Sequence, residues 1–160
     1  MSGPRLRTDI IDVYVLRAHR SDDRPHELLQ IRRTRDPAAG TWQPVMGHVE
    51  PGERATETLW RELREEVGLE RSGAVRAWSL ERVRPFFLAE RDEIVLSPRF
   101  AIEVAPGWTP TLNDEHDAAR WAPLAEAERW FMWPGQREAI GEIRALLELG
   151  SLSEPVLRIV

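Results

Sequence analysis

Gly47-His-Val-Glu-Pro-Gly-Glu-Arg-Ala-Thr-Glu-Thr-Leu-Trp-Arg-Glu-Leu-Arg-Glu-Glu-Val-Gly-Leu69 is the stretch that decides how the rest of this chain is read. Its first part is a turn, punctuated by Gly47, Pro51 and Gly52, and Pro-Gly is a strong loop signal. From about Arg54 good helix formers take over. Ala55, Leu59, Leu63 and Val67 recur every four residues and give the helix one apolar face. Gly68 stands where a left-handed C-cap would end it.

The acidic residues of this helix carry the chemistry. Glu62, Glu65 and Glu66 fall at i, i+3 and i+4, so they are neighbours flanking the apolar stripe. That places them at the edge of a packed surface, half shielded from water. Glu62 and Glu66 form a like-charge i,i+4 pair, which costs roughly 0.2–0.5 kcal/mol in a bare helix. A sequence shaped by stability alone would put a cation at one of the two positions. A hard divalent cation removes the conflict: Mg²⁺ takes one or two carboxylates and leaves its other positions to water and substrate phosphates. The plain alternative is a solvated acidic face, and the spacing argues against it. Gly47, Glu53, Arg61, Glu62, Leu63, Glu65, Glu66, Gly68 and Leu69 fit Gly-x5-Glu-x7-Arg-Glu-apolar-x-Glu-Glu-x-Gly-apolar at every specified position. With average residue frequencies near one in fifteen, a chance match has a probability of about 10⁻⁷.

That pattern is the Nudix box, and the chain resembles a Nudix hydrolase. The resemblance implies cleavage of a nucleoside diphosphate linked to another group, with Mg²⁺ or Mn²⁺ as cofactor. It also implies an α/β/α sandwich around a central mixed sheet. The residue pattern alone supports only an α/β or α+β class: strands on both sides of the box helix, and a helix at the C-terminal end.

Composition bounds the rest. The chain has 160 residues and a net charge of −5, which fits one domain over residues 1–160 with a sizeable core. It contains no Cys, so disulfides, thiolate metal sites and a Cys nucleophile are excluded. The prenyl-diphosphate isomerases of the same superfamily use a Cys, and that reading is disfavoured accordingly. There is no Lys, and all 22 basic residues are Arg, so phosphate recognition falls to Arg, backbone N–H groups or metal. No basic block points to a long nucleic acid. No apolar run is long enough for a bilayer, and no signal-like segment opens the chain, so the expected location is cytoplasmic.

Taken in order, Met1 to Thr8 reads as a loose lead-in and Asp9 to Arg17 as a buried strand. Ala18 to Pro25 is turn-like, and His26 to Arg33 is a second strand, hairpin-paired with the first. Thr41 to Val45 delivers the chain to Gly47. Ala74 to Leu88 reads as a strand bent near Pro85, Arg91–Glu93 as a charged turn, and Ile94 to Val104 as a strand broken near Pro98. Asn113 to Asp117 is an acidic loop leading to a short strand, Ala119 to Trp121. Leu124 to Met132 reads as a helix, and Pro134 to Gly150 as another with Ile140, Ile143, Leu146, Leu147 and Leu149 as its apolar side.

Outside the box, Asp36-Pro37, Trp42-Gln43, Val45, Glu115-His116, Trp121, Trp133, Arg137, Ala139 and Ile140 are most similar to the branch named dATP pyrophosphohydrolase or dihydroneopterin triphosphate pyrophosphatase. This similarity covers roughly His26 to Ile140. It implies a (deoxy)nucleoside or pterin triphosphate as substrate, with pyrophosphate and a monophosphate as products. Dinucleoside polyphosphates, nucleotide sugars and oxidised nucleotides are the alternative substrates, and a non-hydrolytic nucleotide sensor is the reading from another class. A monomer or a homodimer is expected.

The resemblance also distributes roles. Glu62, Glu66 and Glu65 are the metal ligands, joined by the backbone carbonyl of Met46, with Gly47 bare so that no side chain crowds the ion. Arg61 holds the glutamates in place with Glu53 as its partner. The competing reading of Arg61 is a surface pair with Glu57. Glu115 is a further ligand or the base, as is Glu62, with a solvated loop residue as its plain alternative; His116 is a candidate to assist, but a lone loop His more often only packs or hydrogen-bonds, and His48 and His26 rank below it. By its place at the end of the second strand, Arg32 or Arg33 is a candidate phosphate contact, and an exposed strand-end Arg is the equally common alternative. Trp42, Gln43, Trp133 and Phe87 are candidates for the base or pterin ring, where stacking is worth about 1–3 kcal/mol.

Overall fold

The computed structural model describes residues 3–18, 26–150 and 157–159. The turn expected over Ala18 to Pro25 therefore lies outside the described residues from residue 19 onward. Among the described residues the strands are β1 (Arg5–Arg7), β2 (Ile10–Arg17), β3 (Glu27–Arg33), β4 (Trp42–Gln43), β5 (Val45–His48), β6 (Ala74–Ser79), β7 (Arg84–Leu88), β8 (Glu93–Ser97), β9 (Arg99–Val104) and β10 (His116–Pro123). The helices are α1 (Ala55–Val67), α2 (Leu124–Ala127) and α3 (Pro134–Leu149).

The large sheet runs β10-β3-β2-β9-β6, with β4 added to β3 and β5 to β2. β2 and β9 are parallel and the other pairs antiparallel, so the sheet is mixed. Alternation along β2 builds both sides of the sandwich. Ile11, Val13 and Val15 join Leu59, Leu63 and Val67 of α1 in one core. Tyr14 and Leu16 join Ala139, Ile140, Ile143 and Leu146 of α3 in the other. This is the expected α/β/α arrangement.

One irregularity in the sheet creates the site. β2 and β3 pair only at Leu16↔Leu28 and Arg17↔Glu27. Beyond that they splay, and the chain enters the gap: β4 lies along β3 at Trp42↔Arg32, and β5 lies along β2 from Val13↔Val45 to Ile10↔His48. The strand β5 thus delivers Gly47 and His48 to the foot of α1. That helix begins where the Arg54 N–H donates to the Glu57 carboxylate at 2.7 Å. It ends at Gly68, whose φ of 70° is the left-handed cap read from the sequence. The Gly68 and Leu69 N–H groups close the last turn on the Arg64 and Leu63 carbonyls.

Several segments depart from expectation. Arg5–Arg7 is a strand, parallel to β8, and not a loose lead-in; Arg5 and Arg7 both bind the Glu93 carboxylate. Residues 74–88 are two strands in two sheets, with β7 pairing β8 in a three-stranded β1-β8-β7 sheet. The break at Pro98 does separate β8 from β9, one in each sheet. The strand expected over Ala119 to Trp121 extends over His116–Pro123, because its whole length finds β3 as a partner. The helix at Leu124 stops at Ala127. In α3, Leu149 is exposed and Gln136 is buried in addition to the expected apolar residues.

Candidate functional site

The glutamates of α1 meet the sheet at the outer edge of β5. In an extended strand the N–H and C=O of one residue point to the same side, and the next residue points to the other. Gly47 sits opposite Ile11 of β2, and its neighbours Met46 and His48 turn outward to α1. The His48 carbonyl accepts from Arg61 Nη2 at 2.8 Å. The Met46 and His48 N–H groups serve the Glu66 and Glu62 carboxylates respectively. The Met46 carbonyl therefore also faces the glutamates, where the resemblance places it.

Gly47 is bare where the Glu62 side chain takes up the room. A Cβ there would come within 2.5 Å of the Glu62 carboxylate, so the glycine makes room for the ligand side chain itself. Arg61 then fixes the arrangement. Its Nε and Nη2 donate to both Glu53 oxygens at 3.0 Å, and Nη1 donates to Glu62 at 2.8 Å and lies 3.4 Å from Glu65. Arg61, with a further Thr58 hydroxyl bond, holds the Glu53 carboxyl down at about 2. The alternative Glu57–Arg61 pair does not form, since Glu57 caps the helix start.

Glu66 is the electrostatic anomaly. It is buried, and its Oε2 has no hydrogen-bond partner. Burial, then the charges of Glu62 and Glu115, push its carboxyl up to about 9. Burial raises Glu62 as well. Desolvated carboxylates aimed at one another want a proton or a cation. Among the described residues no three acidic or histidine side chains are clustered closely enough to hold an ion unaided. All-oxygen donors, an orphaned carboxylate oxygen and an outward carbonyl nevertheless suit Mg²⁺, which completes its shell with water and substrate.

The loop before β10 supplies the second wall. Glu115 lies 3.3 Å from Arg35, which also holds Asp114 at 2.6 Å. The Thr34 N–H binds the Glu115 carbonyl. His116 is buried between Asn113 and Gln43, each at 3.2 Å. Asn113 Oδ1 can only accept, so Nδ1 of His116 carries its proton and Nε2 accepts from the Gln43 amide. Burial lowers the His116 pKa. Its 4.0 Å approach to Glu66 Oε2 is accordingly a neutral contact and not an ion pair. Gln43 thus positions His116 through one of its amide N–H groups. Asn113 and Arg35 went unread in the sequence; the polar run around Glu115 is the only local sign of them.

The remaining candidates divide between the two faces. Arg33, whose charge acts on Glu66, lies on the glutamate side. Arg32 lies on the other, bound through two contacts to Asp117 at 2.7 and 3.0 Å. Trp42, next to Gln43 in β4, also faces away from the glutamates and packs its ring 4.1 Å from Arg120. Trp133 caps α3 and is half exposed, and Phe87 is exposed on β7. His48 is exposed, and His26 is at the opposite end of β3, 3.9 Å from Glu103.

Comparison with known proteins fits this geometry. The octanoyltransferase of Myxococcus xanthus is 31% identical over 118 residues, 72% of this chain but 32% of that protein. The mouse asymmetrical bis(5'-nucleosyl)-tetraphosphatase is 33% identical over 91 residues, 54% of this chain and 58% of that protein. The chain thus spans under two thirds of these curated relatives. Two solved structures share the fold: a C. elegans Ap4A hydrolase binary complex (TM-score 0.72, 17% identity, 88% of this chain and 98% of that one), and the E. coli dihydroneopterin triphosphate pyrophosphohydrolase (TM-score 0.67, 21% identity, 89% and 97%). The family model described as the NUDIX domain matches residues 8–142. With the box helix, its glycine and its arginine clamp all inside that match, the chain belongs to the Nudix family.

Proposed function

We propose that this protein hydrolyses a phosphoanhydride of a nucleoside or pterin triphosphate, releasing pyrophosphate and a monophosphate. The observation that carries the reading is Glu66: a buried carboxylate with an unpartnered oxygen, beside Glu62 and under the outward edge of β5. Glu62, Glu65, Glu66, Glu115 and the Met46 carbonyl are the groups that would hold Mg²⁺ or Mn²⁺. Such an ion, when bound, offsets phosphate charge and makes a water more acidic.

The chain's own residues do the rest. Arg61 keeps Glu62 and Glu65 oriented and cannot lose its charge. Glu115, partly exposed and tied only at 3.3 Å to Arg35, is free to accept a proton from the attacking water. Glu62, pinned by Arg61 at 2.8 Å, is the less mobile choice. Water oxygen bonds to phosphorus, the anhydride P–O bond breaks in line, and the leaving group, pyrophosphate or the monophosphate according to which phosphorus is attacked, departs with the electron pair. Arg33 steers phosphate, and Trp133 borders the organic part of the substrate. A dinucleoside polyphosphate is the second substrate reading, favoured by the mouse relative's name and 33% identity.

Product analysis with Mg²⁺ across dNTPs, dihydroneopterin triphosphate, a dinucleoside tetraphosphate and a nucleotide sugar tests this. Pyrophosphate from one triphosphate well above the rest is the expected result. No turnover of any member in Mg²⁺ or Mn²⁺ would refute the hydrolase reading.

A further inference from the structure

The chain has no Lys, so a fixed side-chain charge for substrate phosphate has to come from Arg. Three arginines stand around the glutamates, and their partners separate them. Arg61 is fully engaged by Glu53, Glu62 and the His48 carbonyl. Arg33 gives its Nε to the Arg35 carbonyl at 3.0 Å, and its charge reaches Glu66 and His116. Arg35 donates to two carboxylates, through Nη2 to Asp114 at 2.6 Å and through Nη1 to Glu115 at 3.3 Å. All three side chains of this group are open to solvent, at 53% for Arg35, 83% for Asp114 and 35% for Glu115. Ion pairs so exposed hold by a factor of only about 1.4 to 5. A phosphate, which matches the guanidinium fork as well as a carboxylate does, is able to displace either partner.

The backbone around this group is fastened. The Thr34 N–H and hydroxyl bind the Glu115 carbonyl at 2.9 and 3.0 Å, and the hydroxyl also lies 3.1 Å from the Asp114 carbonyl. The Asn113 N–H donates to the Glu66 carbonyl of α1 at 3.4 Å, and the Glu115 N–H donates to Asn113 Oδ1 at 3.1 Å. Behind Arg35, the Gly40 N–H closes on the Arg33 carbonyl at 2.7 Å and the Thr41 hydroxyl on the Ala38 carbonyl at 2.6 Å. Only side chains are left to move. The Glu115 carboxylate has Arg35 on one side and Glu66 on the other, where its charge already acts. While Arg35 holds it, Glu115 is drawn away from the α1 glutamates.

We propose that Arg35 binds the phosphate end of the substrate and gives up Glu115 in the exchange, so that arriving phosphate releases the carboxylate that the reaction uses. The proposal rests on the hydrolytic reading of the glutamate site. It adds a phosphate ligand to that site and a reason for Glu115 to engage only with substrate in place. No proton moves in the exchange: the guanidinium stays charged, one carboxylate leaves its fork and phosphate oxygens enter. An Arg35 that merely supports Glu115 in its working position makes opposite predictions.

Arg35→Gln separates the two. The substituted side chain is exposed, so Tm should stay within about 2 °C of the wild type. Calorimetric titration with Mg²⁺ alone should show the variant binding the ion about 2- to 5-fold more tightly, because Glu115 is no longer withheld. Titration with inorganic pyrophosphate in Mg²⁺ should show binding about tenfold or more weaker, the loss of a charge-assisted hydrogen bond. In turnover, KM should rise by a similar factor with kcat nearly unchanged. Mg²⁺ binding that is unchanged or weaker, or a fall in kcat with KM unchanged, makes Arg35 a support of Glu115 and overturns the proposal. Pyrophosphate binding that the substitution leaves intact overturns it too, as does a wild type that binds no pyrophosphate. Turnover with Arg35-independent pyrophosphate binding sinks the exchange and leaves the hydrolase standing. Arg35-dependent pyrophosphate binding in a protein that turns over no triphosphate sinks the hydrolase reading and keeps Arg35 as the phosphate ligand.

Discussion

Replacing Glu66 with glutamine should stabilise the metal-free protein at alkaline pH while abolishing turnover. The Glu66 carboxyl rises from 4.5 to about 9 in the folded chain, chiefly through burial. A raised folded pKa means that the fold favours the protonated form. The stability this gives is fully present below about pH 4.5 and is lost as pH rises toward 9. Each unit is worth about 1.4 kcal/mol, so at pH 8 the loss has a ceiling of about 5 kcal/mol, and relaxation with water entry brings it to about 2 kcal/mol. For a chain of this size that is a Tm difference of about 4–8 °C. Glutamine has the same shape and carries no charge at any pH.

Thermal melts in EDTA at about pH 5 and pH 8 read this directly. At the lower pH the two proteins should melt together. At the higher pH Glu66→Gln should melt above the wild type. Adding Mg²⁺ should raise the wild type, because an ion that binds only the folded state stabilises it, and should leave the variant nearly unmoved. A variant less stable than the wild type in EDTA at pH 8 would show that Glu66 is satisfied by something other than a cation, and the metal assignment would fail with it.

Three further outcomes follow from the same geometry. Gly47→Ala drives a methyl into the space of the Glu62 carboxylate; kcat should fall about 100-fold, as an ångström of misplacement can cost, with little change in Tm, and an unchanged kcat would remove Gly47 from the site. Arg61→Lys cannot serve Glu53, Glu62, Glu65 and the His48 carbonyl at once, so activity and Mg²⁺ affinity should both drop by tenfold or more (about 1.4 kcal/mol); full activity in the lysine variant would reduce the clamp to a surface contact. Burial depresses the His116 pKa below 6.5, so its contribution to stability is complete above that value and declines as pH falls; nitrogen NMR at pH 6.5 should show a neutral ring protonated at Nδ1, and an imidazolium there would overturn the Asn113–His116–Gln43 arrangement.

What the sequence made legible was local, and what it hid was paired at a distance. The box helix could be read because its stripe, cap and charges are set by neighbours three and four residues apart. The three-residue β1 could not, since its partner β8 is more than 80 residues away in sequence, with Arg5 opposite Glu93. The run from Ala74 to Leu88 looked continuous because each half is strand-like, and only their different partners separate them. The same limit governs the candidate site. Glu62, Glu65 and Glu66 announce themselves by spacing, and Glu115 by resemblance, while Arg32 and Arg33 were indistinguishable until the face of β3 was known. Gln136 gave no visible sign, since a polar residue in the first turn of an amphipathic helix looks solvated until Met46 is found beside it. Met46 reaches Gln136 only because β2 and β3 splay and admit β5 between them. The irregularity that places Gly47 under Glu62 is therefore also what puts Met46 between the glutamates and Gln136. Gly47→Ala should therefore lower Mg²⁺ affinity together with kcat, because the side chain that its methyl displaces is that of Glu62. If Gly47→Ala lowers kcat yet leaves Mg²⁺ affinity untouched, the displaced Glu62 carboxylate is not a metal ligand, and the glycine serves only to position it.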